Sequence, residues 1–235
     1  MTSWFEEPSP QPRPPAPQPR PEPSPGPARE PVFNAPWPAL AITLVIVLGY
    51  AVQSRFPDGL VFESLAFSPA GLADGRWGTL VSAMFLHGGW PHALMNAAFA
   101  LAFGTPLARF YGERAGGVLA FFGFYLATGV LSTLGYAALH LGSPGLLVGA
   151  SGAVSGLMGA AARLIAGRGA LGSLTSPAVL GMGAALLIVN LLIAVLGGAL
   201  VPGSGGAGIA WEAHLFGFAA GVFLAGPFAR LAHRA

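Results

Sequence analysis

The sequence predicts an all-α membrane protein: six transmembrane helices in one bundle, with an interfacial first outer loop and a proline-rich tail. Two observations carry this expectation. Hydrophobic residues make up 54% of the chain and charged residues only 9%, whereas a soluble globule carries about 25% charged residues. The apolar residues also fall into blocks of roughly the length needed to cross a hydrocarbon layer of about 30 Å.

Residues 1–36 hold a dense run of proline with Gln, Arg, Glu and Ser. Such a stretch has too little apolar surface to offset the entropy of ordering, so a disordered or extended cytoplasmic tail is expected. The opening residues lack the basic-then-apolar pattern of a signal peptide, and the first apolar block is expected to insert and stay. That block runs from Pro38 to Gln53. Residues 54–78 mix Arg55, Asp58, Glu63, Asp74 and Arg76 with Phe62, Leu65, Phe67 and Trp77, the pattern of an amphipathic segment lying at an interface. A second span is expected from Thr79 to Leu107, with Pro91 suited to the first turn of its helical core. The remaining spans are Gly116 to Leu139, Leu147 to Ile165, Pro177 to Leu200 and Ala210 to Phe228. The membrane domain is thus 37–230, followed by a short cytoplasmic end, 231–235.

All eleven basic residues are arginines. They are scattered singly rather than clustered on one face, which argues against a nucleic-acid partner. With the tail inside, Arg13, Arg20, Arg29, Arg109, Arg114, Arg163, Arg168, Arg230 and Arg234 all fall on the cytoplasmic side, and only Arg55 and Arg76 lie outside. The positive-inside rule therefore places both termini in the cytoplasm. A bacterial inner (plasma) membrane is the expected location. The absence of cysteine excludes disulfides and thiolate metal sites.

Within this apolar chain a hydroxyl flanked by glycines opens the fourth span, in Gly149-Ala-Ser-Gly-Ala-Val-Ser-Gly-Leu-Met-Gly159. Gly152 and Gly156, with Ser155 and Gly159, place small residues at four-residue spacing, which lets another helix approach closely. The sixth span offers the counterpart: Gly217 and Gly221 follow His214 on the histidine's own face. With the expected topology, Ser151 and His214 both sit near the outer end of their spans, where water reaches. Serine needs a base to become a nucleophile, most often histidine. Glu212 precedes His214 by two positions and points away from it on a helix, so the expectation is a Ser151–His214 dyad without a third member. The Ser151 N–H, near a helix N-terminus, is a candidate oxyanion donor. On span two, His92 and Asn96 stand one turn apart on one face and both can donate hydrogen bonds; His87 lies one short loop earlier.

Together these motifs resemble the rhomboid family of intramembrane serine proteases. The similarity covers about residues 37–230, through Gly149-x-Ser-Gly, Ala213-His-x-x-Gly-x-x-x-Gly221, and His87 followed by His92-x-x-x-Asn96. It implies a six-helix fold in which Ser151 is nucleophile, His214 general base, and His92, Asn96 and the Ser151 amide the oxyanion hole. It also implies a small residue such as alanine before the scissile bond. Two features depart from the family: Ser155 stands where many members carry an aromatic ring that stacks on the histidine, and the usual Trp-Arg pair of the outer loop is reversed as Arg76-Trp77.

Taken singly, Ser151 reads as a packing residue and His214 as a partnered buried imidazole; it is their combination that points to chemistry. His140 and His233 read as solvated or interfacial, and Asn190, inside span five, as an interhelical hydrogen-bonding residue. A metal held by His87, His92 and His214 lacks a completing carboxylate or cysteine, and no cofactor is required. The expected partners are the lipid bilayer and single-span membrane proteins, cleaved near the outer ends of their helices where Gly or Pro weakens them. Lateral access is expected near span five, whose Gly181, Gly183, Gly197 and Gly198 leave it loosely packed. The rival readings are a catalytically silent relative that binds membrane helices, and a small transporter, for which mid-membrane charges would be expected.

Overall fold

The structure, a computed structural model, describes residues 34–196 and 210–234. The expected tail, apart from residues 34–36, and the glycine-rich 202–208 segment lie outside the described residues, as do Gly197 and Gly198. Among the described residues the chain is helical, with only isolated bridge pairings such as Phe67 with Leu147. The helices are α1 (Trp37–Gln53), α2 (Asp58–Leu65), α3 (Pro69–Ala73), α4 (Thr79–Ser82), α5 (Trp90–Tyr111), α6 (Ala115–Leu139), α7 (Ser151–Ala166), α8 (Pro177–Leu196) and α9 (Trp211–Ala232).

By length and composition, α5, α6, α8 and α9 suffice to cross a membrane. The apolar helices α1 and α7 are shorter, at 17 and 16 residues. Prolines set several starts: Pro38 and Pro91 occupy the first turns of α1 and α5, where a missing N–H leaves no bond unmade.

The second apolar block is not one continuous helix. It breaks into α4, a 3-10 turn over Ala83–Phe85, and then α5. The sequence His87-Gly88-Gly89 accounts for the break, because paired glycines carry a high entropic cost in a helix and Pro91 cannot sit in a helix interior without removing a bond. Likewise, residues 147–150 are not the start of a helix. Leu147 pairs with Phe67, and Gly149 adopts φ +121°, so α7 begins at Ser151.

Helix α7 is the centre of the bundle: eleven of its sixteen residues are buried, and it touches α5, α6, α8 and α9. Its contact with α9 is possible only because both helices present glycine. A Cβ on Gly217 would collide with the Gly152 carbonyl, one on Gly221 with the Gly156 carbonyl, and one on Gly159 with the Phe218 carbonyl. Backbone thus meets backbone along this seam, with small residues admitting the close approach. The aromatic core, Phe121 and Phe124 of α6 with Leu107 of α5 and Leu157 of α7, lies deeper along the same helices. By contrast α8 leans mainly on α7 and α9 and is turned outward, with Leu180, Ile188, Leu192 and Val195 exposed.

The segment ahead of α4 is held together at defined points. The Arg76 guanidinium donates to the carbonyls of Glu63 and Ser64 at 2.6 and 3.0 Å. A cation there meets the negative end of α2. Ser68 caps α3 by accepting from the Gly71 N–H, and Phe67 is fully buried.

Candidate active site

Three helix ends converge at one end of α7. Ser151 is its first residue, so the Ser151 N–H has no carbonyl within the helix to bond. His214 lies in the first turn of α9, and His92 in the first turn of α5. The Ser151 Oγ and His214 Nε2 are 2.8 Å apart. These residues, 63 apart in sequence, are held together by the glycine seam one turn below and by Ser132 of α6. The Ser132 hydroxyl donates to the Ala213 carbonyl at 2.6 Å, beside Gly152.

Gly149 shapes the approach from α5. Its left-handed backbone is disfavoured for other residues, and a Cβ there would lie 2.9 Å from both Cε1 and Nε2 of His92. Only glycine therefore lets the His92 ring lie next to the Ser151 loop. The Gly88 N–H donates to His92 Nδ1 at 3.3 Å. In the neutral ring the proton then resides on Nε2, the nitrogen that faces Gly149. Asn96, buried one turn along α5, donates one amide hydrogen to the His92 carbonyl at 2.9 Å and retains the other.

Sequence reasoning did not foresee the partner of Asn190. This residue, expected to make an interhelical hydrogen bond, makes it to the histidine itself: Asn190 Oδ1 lies 2.6 Å from His214 Nδ1, and Asn190 Nδ2 donates to the Leu186 carbonyl at 2.7 Å. An asparagine in an otherwise apolar span was the available signal; its partner depends on how α8 is rotated against α9. Ser155 is buried in the α7 core, and among the described residues no aromatic ring stacks on His214.

The other polar groups occupy separate positions. Glu212 turns from His214 towards His140, with Oε1 and Nε2 3.1 Å apart, and Tyr136 stacks on His140 at 4.3 Å. His140 is therefore half-buried and partnered rather than simply solvated. His87 is fully buried, its backbone clamped by the Gln53 amide: Nε2 donates to the His87 carbonyl at 2.8 Å and Oε1 accepts from its N–H at 2.9 Å. Its ring packs edge-on against His92 and Tyr50, and neither ring nitrogen has a hydrogen-bond partner among the described residues. Among the described residues no group of three or more His, Cys, Asp or Glu is placed to hold a metal ion.

Long apolar helices packed around a serine and an imidazole at one helix end define a multi-pass membrane protein of intramembrane-protease-like type. The Rhomboid domain model matches residues 74–231, most of the chain, and the protein belongs to the rhomboid family. A comparison with curated proteins finds no match.

Proposed function

We propose that the chain is an intramembrane serine endopeptidase that hydrolyses peptide bonds of single-span membrane proteins near the outer membrane face. The observation that carries this reading is the 2.8 Å approach of Ser151 Oγ to His214 Nε2. It is the distance a general base needs to take the hydroxyl proton during attack on a carbonyl carbon. The tetrahedral oxyanion would be met by three donors: the Ser151 N–H at the start of α7, His92 Nε2–H and the second amide hydrogen of Asn96. His214 would then hand its proton to the leaving amine, and water would release the acyl group by the reverse sequence.

A small cavity beside Ser151, lined by Met84, Gly129, Ser132, Thr133 and Gly152, supports a preference for a small side chain before the scissile bond. In this reading six spans cross the bilayer, α1 and α7 included, with the segment 54–78 at the outer interface and both termini in the cytoplasm of a bacterium. Access is lateral, beside the outward-turned α8. No metal or cofactor takes part.

A fluorophosphonate probe, which reacts with activated serines, tests the assignment in detergent. The natural chain is expected to be labelled, and Ser151→Ala and His214→Ala are not. Equal labelling of all three defeats the dyad; no labelling of any, with a single-span peptide still bound, favours the silent helix-binding relative. Topology is tested on the cysteine-free background with single cysteines at the exposed positions Ser64 and Ser173. An impermeant thiol reagent added outside is expected to modify the first and spare the second.

A further inference from the structure

We propose that Asn190 is a positioning residue for His214, fixing the tautomer that accepts the Ser151 proton and replacing the aromatic ring that Ser155 does not supply. The inference rests on the proposed peptidase reading and deepens it. Its basis is an unbroken line of hydrogen bonds: the Leu186 carbonyl accepts from Asn190 Nδ2 at 2.7 Å, Asn190 Oδ1 faces His214 Nδ1 at 2.6 Å, and His214 Nε2 faces Ser151 Oγ at 2.8 Å.

The direction of each bond follows from the fixed end. A backbone carbonyl only accepts, so the Asn190 atom against Leu186 must be the NH2 group. A flipped amide would set two oxygens against each other there, which settles an assignment otherwise open for asparagine. Asn190 therefore presents an acceptor to His214, and Nδ1 must carry the proton. Nε2 is left with a lone pair aimed at the Ser151 hydroxyl. As Oγ bonds to the substrate carbonyl carbon, its proton passes to Nε2, while Nδ1–H continues to donate to Asn190. The step balances with no other reactant.

Two further observations fit this role better than packing. Asn190 is only 4% exposed, although α8 is the most outward-turned of the long apolar helices among the described residues. A polar residue inside a membrane span that is both buried and aimed at an ionisable group reads as functional. A neutral amide also orients the ring without placing a fixed charge in an apolar span, which a carboxylate would do. His214 has no other orienting contact on Nδ1 among the described residues: His92 of α5 lies close enough to act on it, and Glu212, on its own helix, is engaged by His140.

The test compares the full chain with Asn190→Leu, Asn190→Asp and Ser151→Ala in proteoliposomes. The substrate is a synthetic single-span peptide carrying Ala-Gly near its outer end and a fluorescent reporter. Asn190→Leu, of similar volume but unable to accept, is expected to lower kcat by about ten- to a hundred-fold with KM within about twofold. Asn190→Asp keeps the acceptor and adds negative charge, so it is expected to retain more activity than Asn190→Leu and to move the acid limb of the pH profile to higher pH, because a carboxylate favours the imidazolium. A thermal melt and the fluorophosphonate labelling rate are recorded alongside. Wild-type kcat and pH profile in Asn190→Leu overturn the proposal, as do equal losses in Asn190→Leu and Asn190→Asp with an unshifted profile, which is the signature of packing alone. Continued cleavage by Ser151→Ala would instead overturn the peptidase reading.

Discussion

Replacing Gly217 by alanine puts the close approach of α7 and α9 to a direct test. The new Cβ would collide with the Gly152 carbonyl oxygen and would lie 2.9 Å from Gly152 C and 3.2 Å from its Cα. Carbon atoms rest about 3.5–4.0 Å apart, so the shortfall is roughly 0.5–1 Å. Both partners are backbone, and neither can rotate away. The helices must therefore part at a point next to Ser151 and one turn from His214. If that displacement passes to the side chains, the 2.8 Å separation grows to roughly 3.5 Å, the limit of a useful hydrogen bond. Overpacking of this kind is expected to lower stability by about 1–3 kcal/mol. Peptide cleavage should fall by roughly ten- to a hundred-fold, short of the 10²–10⁴ that complete loss of a general base removes. The assay is kcat on the single-span peptide together with a thermal melt in the same detergent. Gly181→Ala, where a Cβ meets nothing within 4 Å, serves as the control and should leave both readings unchanged. Wild-type kcat and melting temperature in Gly217→Ala would refute the idea that this seam sets the distance between serine and histidine.

Other expectations concern the ends of the helices around the site. Gln53→Leu removes both bonds that clamp the His87 backbone and leaves a buried N–H and C=O unmet, so the melt should show a loss of about 1–3 kcal/mol. Arg76→Ala frees the carbonyl end of α2, an exposed contact, and should cost about 1 kcal/mol or less while speeding proteolysis between residues 58 and 66.

Much of the candidate site is legible in the sequence, and for a specific reason. Ser151, His214, His92 and Asn96 are polar groups in apolar surroundings, and glycines at four-residue spacing mark faces where helices meet. Asn190 was legible only as a polar residue in a span. The identity of its partner depends on the azimuth of α8 against α9, which apolar periodicity leaves open in a helix hydrophobic on all sides. His140 and Glu212, 72 residues apart, were read separately for the same reason: a half-buried hydrogen bond between the end of one helix and the start of another leaves no local pattern. The break before α5 was carried by Gly88, Gly89 and Pro91, yet the surrounding residues are apolar enough to read as one span.

The order of apolar blocks, the seams of small residues and the chemistry-bearing side chains follow from the amino acids alone, because solvent and helix period act on every residue locally. What required tertiary structure was distance and rotation: which nitrogen of His214 faces Ser151, which residue meets the other nitrogen, and that Gly149 makes room for His92. Those depend on helices far apart in sequence meeting backbone to backbone. A shift of less than 1 Å there changes whether a hydrogen bond exists, while the hydrophobic pattern stays the same.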